Sequence, residues 1–156
     1  MLEIDIPDFG PLSLEHLVLD YNGTLACDGE PYEGTAVRLK NLAKSMKVHV
    51  ITADTFGTAR KGLKDLPVAL KILGPRGQAE AKAQYIESLG PGRTVAVGNG
   101  RNDRLMLERA RLGIAVLEGE GASVEALTSA NLCTRSTSEA LDLLLYPERL
   151  VATLRS

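Results

Sequence analysis

Five short apolar runs recur along the chain, and helical periodicity fills the intervals between them. The runs are Leu17-Val18-Leu19, Val48-His49-Val50-Ile51, Val68-Ala69-Leu70-Lys71-Ile72-Leu73, Thr94-Val95-Ala96-Val97 and Ile114-Ala115-Val116-Leu117. Such nearly continuous apolar stretches suit strands covered on both faces, not strands with one face in water. Leu39, Leu42, Ala43 and Met46 fall at i, i+3, i+4, i+7, the spacing of one buried helix face. Phe56, Ala59, Leu63 and Leu66 give a second stripe, and Tyr85, Ile86 and Leu89 a third. Strand–helix alternation predicts an α/β fold: a Rossmann-like three-layer sandwich with a mainly parallel central sheet.

Nothing in the 156 residues divides the chain: no repeat, no low-complexity tract and no linker, so a single domain over 1–156 is expected. Leu2-Glu3-Ile4-Asp5-Ile6 offers one weak extra strand. Near the other end, Ser136-x-x-Glu139 has the capping-box pattern ahead of Leu141 and Leu143-Leu144-Leu145, and Pro147 breaks that helix or starts another. Formal net charge is −2, which gives no reason to expect nucleic acid or an anionic membrane as partner. No apolar stretch approaches the roughly 18 residues of a membrane span, and Met1-Leu2-Glu3-Ile4-Asp5 lacks the basic and apolar regions of a signal peptide. A cytoplasmic location is the expectation. Cys27 and Cys133 have no metal-ligand spacing and read as reduced thiols. His16 and His49 read as packed strand histidines.

In open α/β sheets, sites form where strands end and helices begin. The first strand ends in Asp20-Tyr21-Asn22-Gly23-Thr24-Leu25, an unusual place for a carboxylate unless it caps a turn or meets a ligand. The second ends in Ile51-Thr52-Ala53-Asp54, where hydroxyl and backbone N–H groups could hold an anion or cap the next helix. Lys82 precedes Tyr85, Ile86 and Leu89 by three, four and seven residues, so it lies on the core-facing stripe. It either snorkels past the sheet edge or neutralises an anion. The fourth strand ends in Gly98-Asn99-Gly100-Arg101-Asn102-Asp103. An Asn or Asp there caps a helix well, but the cap does not explain the glycines, which also admit a ligand close to backbone.

This ordered set resembles the four motifs of the haloacid dehalogenase-like superfamily from about Leu17 onward. Asp20-x-Asn22-Gly23-Thr24-Leu25 looks like the nucleophile loop, Thr52 the second motif, Lys82 the third, and Gly98–Asp103 the fourth. Thr52-Ala53-Asp54 and the fourth motif are most similar to the phosphorylation domain of P-type cation ATPases, which suggests the small soluble P-type ATPase-like group. The resemblance implies a phosphatase or phosphotransferase acting on a phosphorylated substrate. Asp20 would attack phosphorus, and Mg²⁺ would be bound by Asp20, the Asn22 carbonyl, Asn99 and Asp103. Thr52, Ala53, Lys82 and Asn102 would contact phosphate, with Asn102 and Asp103 also orienting Lys82 or a metal-bound water. A flap hairpin would occupy about 25–34. No cap domain fits between the motifs, so the site would be open to large substrates unless another subunit, a second copy included, covers it.

Two departures matter. Superfamily phosphatases usually carry an acid two residues after the nucleophile, and Asn22 cannot shuttle that proton. Asn99 stands where a metal-binding aspartate is common, so weaker metal affinity is expected. Slow turnover or an accumulating phosphoenzyme follows. The alternative is a catalytically degenerate phosphate-binding or regulatory module. Carbon–halogen hydrolysis is disfavoured by the missing cap, and a receiver-type signalling domain by the position of Asp20 on the first strand.

Overall fold

The computed structural model describes residues 1–54 and 57–156. Six strands form one sheet in the order β10-β9-β8-β3-β6-β7. They are β3 (His16–Asp20), β6 (Lys47–Thr52), β7 (Val68–Ile72), β8 (Thr94–Gly98), β9 (Leu112–Val116) and β10 (Leu132–Thr134). Every pairing within this sheet is parallel. The five apolar runs are β3 and β6 to β9. β10 was not anticipated, because Leu132-Cys133-Thr134 is a three-residue edge strand with no buried residue and hence no apolar run.

Alternation along β3 splits the core in two. Leu17 and Leu19 face a layer with Leu39, Leu141 and Leu150, while Val18 faces a layer with Ile86, Met106 and Ala126. The first layer holds α1 (Thr35–Leu42), α6 (Thr137–Leu145) and α7 (Pro147–Leu154); the second holds α3 (Gln78–Leu89), α4 (Arg104–Arg109) and α5 (Val124–Ser129). The result is the three-layer α/β sandwich expected, and no cap domain is present among the described residues.

Two hairpins lie outside the sheet. β1 (Leu2–Ile4) pairs antiparallel with β2 (Leu12–Leu14), so the weak N-terminal strand forms a hairpin apart from the central sheet. β4 (Ala26–Cys27) pairs with β5 (Glu30–Pro31) directly after the first strand-end loop. α2 (Thr58–Gly62) is shorter than its stripe implied: Leu63 and Leu66 follow it in turns, and Phe56 lies outside the described residues. α1 likewise stops at Leu42, before Ala43 and Met46. At α6 the Ser136 hydroxyl accepts the Glu139 N–H at 3.1 Å, while the Glu139 carboxylate takes the Arg135 N–H instead of closing the box on Ser136. Pro147 opens α7, where its missing N–H has no partner to lose. No helix among the described residues is long and apolar enough to cross a membrane.

Candidate active site

β3 ends on Asp20, only 7% exposed, so its charge must be balanced inside the protein. The balance comes from α3. Lys82 lies on the stripe with Ala79, Ala83 and Ile86 and is 1% exposed. Its Nζ donates to Asp20 Oδ1 at 2.7 Å and to Asp103 Oδ1 at 2.6 Å. Burial and the Asp103 carboxylate push the Asp20 carboxyl up to about 7, against the pull of Lys82 and the Tyr21 backbone N–H. Burial alone would lower Lys82, but the two carboxylates outweigh it and hold its ammonium above the ordinary lysine range.

Asp103 is fully buried in the 3₁₀ turn Arg101–Asp103 that leads into α4. Its Oδ2 accepts the N–H groups of Asn99 at 3.0 Å and Gly100 at 2.9 Å. A Cβ at residue 98 would stand 2.6 Å from that carboxylate, which is why the strand must end in glycine. With one oxygen on Lys82 and the other on two amides, Asp103 positions Lys82. Both of its oxygens are thus already engaged by protein donors, Oδ1 by Lys82 alone. Asn102 also departs from expectation: its Nδ2 donates to Gln78 Oε1 at 2.9 Å, in the first turn of α3, and not toward Asp20.

The loop after β3 is built around the Tyr21 carbonyl, which accepts the N–H groups of Thr24, Leu25 and Ala26. Gly23 takes φ +80°, a left-handed conformation that glycine adopts without strain. This turn brings the Thr24 hydroxyl within 3.4 Å of Asp20 Oδ2 and 3.3 Å of Asn99 Oδ1. From the far side, Thr137 at the start of α6 donates its hydroxyl to the Thr24 carbonyl at 2.6 Å.

A hydroxyl has one proton, so Thr24 can satisfy only one of those two buried oxygens at a time. Two convergent oxygens competing for a single donor suit a small hard cation. Asp20 and Asn99 therefore fit a divalent ion.

Thr52 is buried at the end of β6, one residue beyond the Asp20–Ile51 register pair. Its Oγ1 accepts the Asp54 N–H at 3.2 Å, which leaves the hydroxyl proton available to another acceptor. Asp54 takes φ +40° and turns its carboxylate onto the Ala59 and Arg60 N–H groups, capping α2. Above these strand ends, Asn22, Asp28, Gly29, Ala53, Asp54, Thr58 and Glu120 line an open cleft of about 330 Å³.

Asp20, Lys82, Asp103 and Asn99 thus converge, with Thr52 one strand away and Asn102 turned aside. Sequence reasoning passed over Thr24 as part of a motif. Glu120, in the loop after β9, belongs to no motif that would single it out.

No family model matches the chain. It is 46% identical over 61 residues to an uncharacterized protein of Methanocaldococcus jannaschii, covering 39% of this chain and 66% of that one. A copper-transporting ATPase of Oryza sativa subsp. japonica is 34% identical over 101 residues, 62% of this chain and 10% of the ATPase. A phosphoserine phosphatase of Idiomarina loihiensis is 47% identical over 51 residues, 29% of this chain and 23% of the phosphatase. The chain therefore spans less than two thirds of the length of each of these curated relatives. Among solved structures, 3-deoxy-D-manno-octulosonate 8-phosphate phosphatase of Moraxella catarrhalis, solved with magnesium and phosphate, superposes with a TM-score of 0.73 at 16% identity, over 92% of this chain and 94% of that one. A haloacid dehalogenase superfamily hydrolase structure from Legionella pneumophila gives 0.72 at 17% identity, over 91% and 87%. The chain thus shares the fold of these haloacid dehalogenase-type phosphatase and hydrolase structures.

Proposed function

We propose that the protein is a divalent-cation-dependent phosphohydrolase or phosphotransferase that works through an aspartyl phosphate on Asp20. The observation that carries this reading is Lys82, buried between Asp20 and Asp103 at the carboxyl edge of a parallel sheet. A charge triad that costly to bury is hard to account for as packing alone. The phosphatase folds and the short sequence matches to an ATPase and a phosphatase support it.

An Asp20 oxygen forms a bond to phosphorus as the ester P–O bond breaks, and water attack later releases phosphate. Lys82 favours the ionised form of Asp20 and offsets charge on the incoming phosphoryl group. The Thr52 hydroxyl and the Ala53 N–H hold the phosphoryl oxygens. Asp20, the Asn22 carbonyl and Asn99 hold Mg²⁺, which when bound offsets the repulsion between carboxylate and phosphate. Asn22 cannot protonate the leaving oxygen, which takes its proton from water, so the phosphoenzyme is long-lived. The open cleft admits large phosphorylated substrates. The partial match to a cation ATPase favours the P-type ATPase-like group within the superfamily.

A catalytically silent phosphate-binding module is the second reading, favoured by Asn22 and Asn99. Incubation with p-nitrophenyl phosphate or acetyl phosphate and Mg²⁺ separates the two. The wild type is expected to hydrolyse the ester and to carry phosphate on its Asp20 peptide by mass spectrometry, and Asp20→Asn to do neither. Equal rates and no adduct in both proteins would leave the binding module.

A further inference from the structure

Asn99 does something an aspartate in its place could not. Its Nδ2 donates to the Gly121 carbonyl at 2.8 Å, and its own carbonyl accepts the Ser123 N–H at 2.9 Å. A carboxylate has no N–H to donate and would face the Gly121 carbonyl with like charge. The loop it holds is a tight turn closed by the Gly121 N–H on the Glu118 carbonyl. Glu118 accepts the Thr137 N–H, and the Tyr32 hydroxyl accepts the Gly119 N–H at 3.1 Å.

The turn is thus tied at several points, and Glu120 sits at its tip. Glu120 Oε2 lies 2.6 Å from where a Cβ on Gly23 would stand, and Asn99 Oδ1 lies 2.8 Å from the same point. The Glu120 carboxylate and the Asn99 amide, whose Nδ2 lies 2.5 Å from that point, therefore border the same Gly23 position, and the amide oxygen is the one that competes with Asp20 for the Thr24 proton. It forms no hydrogen bond or ion pair with any described residue. Room for it exists only because residue 23 has no side chain.

We infer that Glu120 supplies the second carboxylate of the divalent-cation site, delivered by a loop that Asn99 anchors, in place of the acid that Asn99 lacks. The inference rests on the proposed function and deepens it. The charge is moved from the strand end to a neighbouring loop, and the amide holds that loop in position. Asp28 and Cys27 also approach Glu120, so a surface site made of those three side chains is the competing arrangement.

Mn²⁺ binding to the purified protein, followed by electron paramagnetic resonance, distinguishes them without any turnover. Glu120→Gln is expected to weaken Mn²⁺ binding about tenfold or more, with thermal unfolding in chelator unchanged. Asp20→Asn is expected to weaken it at least as much, and Asp28→Asn and Cys27→Ser by less than threefold. In Asn99→Asp, which restores a carboxylate at the strand end, adding Glu120→Gln is expected to cost less than in the wild type. Wild-type affinity in Glu120→Gln overturns the inference while leaving the Asp20 chemistry intact. Loss in Asp28→Asn and Cys27→Ser with none in Asp20→Asn also overturns it, in favour of the surface site. No Mn²⁺ binding by the wild type overturns it together with the cation dependence of the proposed function. The Asp20 phosphate adduct tests the nucleophile separately.

Discussion

The same face of the sheet carries two buried polar triads, one at each end of β3, and they solve burial in opposite ways. At the carboxyl end, the carboxyl groups of Asp20 and Asp103 meet the Lys82 ammonium in one ion cluster. At the other end, His16 Nδ1 lies 3.1 Å from His49 Nε2, and His49 Nδ1 lies 2.9 Å from the Tyr85 hydroxyl. α3 serves both: Tyr85 follows Lys82 by three residues, about 4.5 Å along the axis. Neutral tautomers satisfy the second triad, with His49 Nε2–H donating to His16 and Tyr85 donating to His49 Nδ1. The Glu15 carboxylate only partly offsets the lowering of His16, and burial, His16 and Lys47 push His49 down to about 4. His16 is lowered chiefly by burial as well. The two differ in partner and in depth, since Lys82 and Asp103 are fully buried and Tyr85 only half-buried. One triad gathers two carboxyl groups around a single ammonium, whereas the imidazole and phenol groups of the other satisfy one another.

Removing the middle residue of the charged triad should have the largest effect. Lys82→Met leaves two carboxylates buried without their cation and is expected to cost about 3–5 kcal/mol in urea unfolding. A cost below about 1 kcal/mol would mean that the triad is not the closed ion cluster described here.

The neutral triad should respond to pH instead. Unfolded His49 takes a proton near pH 6.5 and folded His49 only near 4, so between those values the unfolded chain binds more protons. Stability should be intact above about 6.5 and fall as pH drops toward 4, by up to about 3 kcal/mol. His49→Gln should make that slope shallower, and an unchanged slope would remove His49 as its source. Smallest of all, Tyr85→Phe deletes one hydrogen bond and is expected to cost about 1 kcal/mol. It should leave the phosphate adduct on Asp20 unaltered; loss of the adduct would mean that the two ends are coupled.

Much of this was legible in the sequence wherever a periodic pattern or a local turn carries the information. The five apolar runs gave the parallel strands, and the stripe through Tyr85, Ile86 and Leu89 placed Lys82 on the core side of α3. Ser136 announced the start of α6. Legibility failed where the signal was neither periodic nor local. β10 is too short and too exposed to leave a pattern, and α2 ends before its stripe does. Asn102 and Asp103 both read as caps of one turn, yet only Asp103 reaches Lys82. The difference lies in backbone geometry around Gly98 and Gly100, not in residue type.

By itself, then, the sequence determined the layers of the sandwich and the strand end on which the acid sits, because burial on both faces of a strand and one face of a helix writes itself into residue spacing. Only the tertiary structure decided which groups meet there. Lys82 reaches Asp20 across 62 positions of chain, and Asn99 is joined to the Gly121 turn beside Glu120. A contact between an exposed loop and a distant strand end leaves no periodic trace, since nothing about it depends on how many residues apart the partners are.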